Sequence, residues 1–175
     1  MEQIPKTRLE AFSDGVIAII MTIMVLELRA PEAPSLAALK PLLPTFLSYA
    51  LSFIYLGIYW NNHHHMLHAA RHVNGRVMWA NLYLLFWISL FPFVTAWTGN
   101  TRGGAWPTAL YGMVSLMAAT AYVILERAII SADGKDSPLA RAVGNKWKEY
   151  LSPVCYLAAI GFAFVSPSPG SVPRI

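Results

Sequence analysis

The sequence predicts an all-α fold, a polytopic bundle of transmembrane helices forming one domain over residues 1–175. Three observations carry this. Of 175 residues, 56% are hydrophobic and only 13% charged, against about 25% charged in soluble domains. The apolar residues gather into five long runs separated by short stretches rich in Pro, Gly or charge. Aromatic residues make up 13%, with 6 Trp and 8 Tyr, as expected where rings collect at the membrane–water interfaces. The single cysteine, Cys155, excludes an intrachain disulfide and a zinc site built on several thiolates. A formal charge of +4 reads as loop charge, not as a nucleic-acid footprint.

The first helix is predicted over about 7–29. Thr7 and Glu10 fit a capping box, Pro5 stands just outside, and Pro31 and Pro34 follow its end. At 1.5 Å per residue it measures about 33 Å, enough to span. No small-residue cleavage site follows, so it reads as a span and not as a secretory signal. Residues 30–41 form a Pro- and Ala-rich connection. The second helix covers about 44–68 and ends in Asn61, Asn62, His63, His64, His65 and His68. Arg71, Asn74, Gly75 and Arg76 make the next turn. The third helix covers about 77–97, where Pro92 removes a backbone donor and predicts a kink. A Gly-rich loop with Arg102 leads to the fourth helix, about 106–127. Residues 131–146 are polar and read as loop with some helix. A fifth apolar run, about 147–165, ends at Ser166-Pro167-Ser168-Pro169-Gly170.

Sidedness follows from the basic residues. With the N-terminus inside, that side receives Lys6, Arg8, Arg71, Arg76, Arg127, Lys135, Arg141, Lys146 and Lys148, nine in all. The other side receives four, Arg29, Lys40, Arg102 and Arg174. The positive-inside rule then predicts a cytoplasmic N-terminus, and five spans would place the C-terminus outside.

Two constellations stand out. Ile19, Ile23 and Leu26 are spaced i, i+4, i+7 on one helical face, with Thr22 beside them. Such a stripe serves packing or lipid contact in many helices. In a symmetric assembly it can instead ring a narrow neck that gates by dewetting. Arg8, Ser13 and Asp14 lie at the mouth of the same helix. Asp14 is favoured by the helix dipole, yet a carboxylate at membrane depth is costly unless paired or wet. Arg8 and Asp14 are about 240° apart around the helix, so their partners are expected on other helices. His64 with His68, and His68 with His72, have the i, i+4 spacing that can share a metal ion. No Glu lies within the run as base. Hydrogen bonding and pH sensing are the other readings of these histidines. No Gly-rich phosphate loop and no Gly-x-Ser-x-Gly elbow occurs.

Arg8-x-x-x-Phe12-Ser13-Asp14, continuing as Gly15-Val16-Ile17-Ala18-Ile19, resembles the signature of the lysosomal-type potassium channels, the transmembrane protein 175 family, in its bacterial branch. Tyr59-Trp60-Asn61-Asn62-His63-His64-His65 and Trp79-Ala80-Asn81-Leu82 resemble that family's second and third helices. The resemblance covers about residues 7–130. It implies a homotetramer in the lipid bilayer, with the first helix of each subunit lining a cation pore. The family's apolar filter then falls on Ile19, Ile23 and Leu26, with Thr22 as the adjacent polar position. Arg8, Phe12, Ser13 and Asp14 would tie this helix to the next two, with Trp60, His63, His64 and Asn81 as candidate partners. The family has six spans and this sequence shows five. The function expected is a potassium-selective, leak-type channel of the bacterial inner membrane. It is not an enzyme, has no cofactor or structural metal, has potassium as permeant ion and binds no nucleic acid. The residues alone also admit a proton-coupled secondary transporter with Asp14 and the histidines as relay. A membrane-embedded metal enzyme using His64 and His68 is a third reading.

Overall fold

The computed structural model describes residues 5–134, 136–142 and 161. Among them every regular element is helical. Helix α1 spans Lys6–Ile23 and tightens into a 3₁₀ turn, Met24–Glu27. A 3₁₀ segment, Leu36–Leu42, leads into α2, Leu43–Ala69. Then come α3, Gly75–Ser89, α4, Phe91–Asn100, α5, Ala105–Asp133, and the short α6, Pro138–Ala142. Four stretches are long and apolar enough to cross a bilayer: Lys6–Glu27, Leu36–Ala69, Gly75–Asn100 and Ala105–Asp133. The protein is thus a multi-pass membrane protein. The fifth apolar run, 147–165, lies outside the described residues.

The ends of α1 differ from expectation for local reasons. Thr7 is not a cap: the helix starts at Lys6 behind Pro5, with no side-chain capping bond. Proline already holds the φ that a helix start needs. Glu10 does not reach back either, because it pairs with Lys6 at 3.6 Å. Lys6 Nζ also donates to the carbonyl of His68 at 2.6 Å, joining the start of α1 to the end of α2. The helix closes at Glu27, two residues before Arg29.

The single third helix of the sequence reading is two helices. Asn74 caps α3 by accepting from the Val77 N–H at 3.0 Å, so the helix starts at Gly75. It breaks at Leu90, two residues before Pro92. Pro92 cannot donate to the preceding turn, and its ring crowds that turn's carbonyl. The chain restarts as α4 and runs to Asn100. Helix α5 runs six residues past the expected 127, because Ile129 is fully buried and Ala128, Ile130 and Ala132 pack beside it. It stops at Gly134, whose φ of 90° suits glycine.

α3 packs on α5, α2 packs on α4, and α1 lies against α2 and α3. Ile17, Leu56, Leu84, Ile88, Phe91 and Leu125 form the fully buried centre. Gly99 lets α4 approach α2 closely, since a Cβ there would sit 2.7 Å from Thr45 Cα. Beside it, Thr45 Oγ1 donates to Asn100 Oδ1 at 3.3 Å. On the side where α1 begins, Asp133, the last residue of α5, closes the connection between α2 and α3. Its fully buried carboxylate accepts from the Arg71 N–H at 2.7 Å and the His72 N–H at 2.9 Å.

Candidate functional site

Helix α1 has two unlike faces. Leu9, Ser13, Ile17, Ile20 and Met24, spaced by three or four, are buried against the rest of the subunit. On the other side Arg8, Phe12, Ile19, Thr22, Ile23 and Leu26 are exposed. Leu26 is 74% exposed, Ile19 60% and Ile23 41%. Ala11, Gly15 and Ala18 share the exposed side at spacings of four and three, leading to Thr22. Small residues at that spacing let helices approach closely in a membrane. The sequence reading missed this seam, although small-xxx-small spacing was its signal.

Thr22 spends its hydroxyl hydrogen on backbone, with Oγ1 3.0 Å from both Ala18 O and Ile19 O. Its oxygen therefore keeps acceptor capacity.

The buried face carries a polar chain in which every donor has a defined direction. Ser13 Oγ donates to Leu9 O at 2.8 Å and accepts from Asn81 Nδ2 at 2.9 Å. Asn81 Oδ1 then has to accept, and it lies 2.7 Å from His63 Nε2. That assigns the proton of His63 to Nε2. His63 Nδ1 is buried with no partner among the described residues. Ser13, His63 and Asn81 are all fully buried, so α1, α2 and α3 are joined inside the subunit.

A second tie is nearer the surface. Trp60 Nε1 donates to Asp14 Oδ1 at 3.0 Å, and His64 Nδ1 lies 3.8 Å from Asp14 Oδ2. The structure thus brings Ser13, Asp14, Trp60, His63, His64 and Asn81 into two adjoining clusters between α1, α2 and α3. It does not bring Arg8 or Phe12 into them. Both are exposed, and the Arg8 side chain makes no hydrogen bond or ion pair among the described residues.

The remaining histidines are dispersed. His64 stacks on His68 with centroids 6.3 Å apart. His72 Nδ1 lies 3.1 Å from Asp133 Oδ1. Among the described residues no three His, Cys, Asp or Glu side chains converge as a metal ligand set. Asp133 escaped the sequence reading because its partners lie more than 60 positions away.

Residues 8–92 match the family described as endosomal/lysosomal potassium channel TMEM175. The chain is 54% identical over 162 residues to a potassium channel of Chryseobacterium sp. (strain P1-3), covering 93% of this chain and 84% of that one. The fold is similar to the crystal structure of a lysosomal potassium-selective channel TMEM175 homolog from Chamaesiphon minutus. The TM-score is 0.77 at 26% identity, covering 92% of this chain and 87% of that one. A human relative described as endosomal/lysosomal proton channel TMEM175 is 34% identical over 98 residues, which are 49% of this chain and 19% of the relative.

Proposed function

The chain belongs to the endosomal/lysosomal potassium channel TMEM175 family, a family of ion channels and not of enzymes, and we propose that it forms a potassium-selective pore from four copies around α1. The exposed face of α1 carries this reading. Four copies of that face would place Ile19, Ile23 and Leu26 in successive apolar rings. The Thr22 hydroxyls would form a polar ring within them. A neck of branched aliphatic side chains taxes each ion by the water it must shed. Potassium holds its water less tightly than sodium, so it crosses at lower cost. The small seam of Ala11, Gly15 and Ala18 supports close approach of the four helices.

The anchors give this neck its geometry. Ser13, Asn81 and His63 fix the rotation of α1 from behind, and Asp14 with Trp60 fixes it near the helix start. A filter made of apolar side chains needs such support, because a rotation of one residue, about 100°, would replace Ile19 by Ala18 or Ile20 at the axis.

We place the channel in the bacterial inner membrane with the N-terminus in the cytoplasm, supported by the nine-to-four distribution of Lys and Arg. Potassium is the permeant ion and no cofactor takes part.

Reconstitution under opposed potassium and sodium gradients tests this. Expected are unitary currents that reverse near the potassium potential and need no counter-ion gradient, from a particle of four subunits by mass. Stoichiometric coupling to another ion, or a conducting monomer, overturns the reading. The name of the human relative favours protons as a second permeant species. A pH gradient imposed in the same recordings measures that current directly.

A further inference from the structure

An open groove of about 490 Å3 runs between α3 and α5, away from the α1 face. Ala80 and Ala128 lie deep in it, partly or fully buried. Trp79, Tyr83 and Ile124 line it and are exposed, Trp79 at 74%. Arg76 lines one end, and Tyr83, seven residues on, lies about 10 Å further along α3. α3 begins where α5 ends, so Arg76 stands at the end of the groove nearest the α2–α3 turn, and the rest of the lining is glycine, alanine, apolar or aromatic.

This asymmetry is that of a single lipid. Exposed Trp and Arg at an interface anchor many helices without choosing a headgroup. Here small residues make a trough below them, and a guanidinium stands at its mouth. Guanidinium groups bind phosphate through paired N–H donors. Basic pockets between transmembrane helices on the cytoplasmic side take anionic headgroups. The geometry points to this groove as a binding site for one anionic phospholipid. Its phosphate meets Arg76. An acyl chain lies along Ala80, Tyr83, Ile124 and Ala128. A zwitterionic lipid has the same phosphate but brings its own cation, so it gains less from Arg76. Occupancy would bridge α3 and α5 and thereby stiffen the scaffold behind the anchor residue Asn81. The cytoplasmic leaflet as source rests on the orientation proposed above; the headgroup preference does not.

The test uses the full chain in nanodiscs of equal phosphatidylglycerol and phosphatidylcholine, released and weighed by native mass spectrometry. Phosphatidylglycerol is expected to be retained about fivefold over phosphatidylcholine, the size of one surface arginine's attraction. Arg76→Gln is expected to remove most of the preference, and Ala128→Leu to lower retention by filling the trough. Arg102→Gln, at the opposite membrane side, leaves retention unchanged. Equal retention of both lipids by the unaltered chain overturns the proposal, as does a preference that survives Arg76→Gln. If a second copy covers the groove, no lipid is retained, which also overturns it. Arg76→Gln alters an exposed side chain, so the test stands even if Ala128→Leu does not fold. Sidedness is read separately, by reagent labelling of Arg102→Cys in intact cells carrying Cys155→Ala.

Discussion

Asn81 donates its side-chain amide to Ser13 Oγ at 2.9 Å, joining two helices whose partners are 68 positions apart, with both side chains fully buried. Ser13→Ala removes the acceptor and leaves an Asn81 N–H facing apolar surroundings. In membranes such bonds couple by about 0.6 kcal/mol on average and up to about 1.7. A double-mutant cycle of Ser13→Ala with Asn81→Ala, read by unfolding in detergent, is expected to show coupling in that range. Strict additivity would mean that the contact does not tie α1 to α3.

Ile23 and Ile20 are neighbours on α1, about 60° apart around the helix, yet one is 41% exposed and the other 4%. Ile23→Asn is expected to wet the neck and bring the potassium-to-sodium permeability ratio toward unity in bilayer recordings. Ile20→Asn buries an unpaired amide, which costs about 1–3 kcal/mol, and is expected to lower folded yield. An unchanged reversal potential in Ile23→Asn removes Ile23 from the filter.

Asp14 separates a channel from a carrier. Asp14→Asn keeps an oxygen for the Trp60 indole, now 3.0 Å from Oδ1. It is expected to retain tetramers and currents. Asp14→Ala removes the acceptor and is expected to weaken assembly more than selectivity, seen as smaller species on gel filtration. Loss of transport in Asp14→Asn with an intact tetramer would mark a proton relay.

Gly99 has no room for a methyl group. A Cβ would meet the Thr45 backbone at 2.7 Å, so α4 must move away from α2. Gly99→Ala is expected to cost about 1–3 kcal/mol, the usual range for overpacking, measured as a lower unfolding midpoint. An unchanged midpoint would show that the two helices separate freely there.

The four spans among the described residues were legible because each is a long apolar run, and the break near Leu90 because Pro92 cannot continue the ladder. The start of α1 misled, since Thr7 and Glu10 have the spacing of a capping box while Pro5 and Lys6 remove the need for one. The end of α5 misled because Ser131 and Asp133 look like loop, whereas Ile129 before them is buried. The candidate partners of Ser13 and Asp14 could be named from residue type. Choosing Asn81 for one and Trp60 for the other required the crossing of three helices, which no local pattern encodes. Gly99 and Asp133 were missed for the same reason, as each acts on residues more than 50 positions away.

Asp133 also sets an order of events during synthesis. The Arg71 and His72 amides have to wait for a carboxylate that is translated about 60 residues later. At about 5–20 residues per second that delay is roughly 3–12 s. Through that interval the hairpin of α2 and α3 leaves the ribosome with its turn unfastened. The last residue of α5 is the one that shuts it, so the α2–α3 turn is fastened only once α5 is complete.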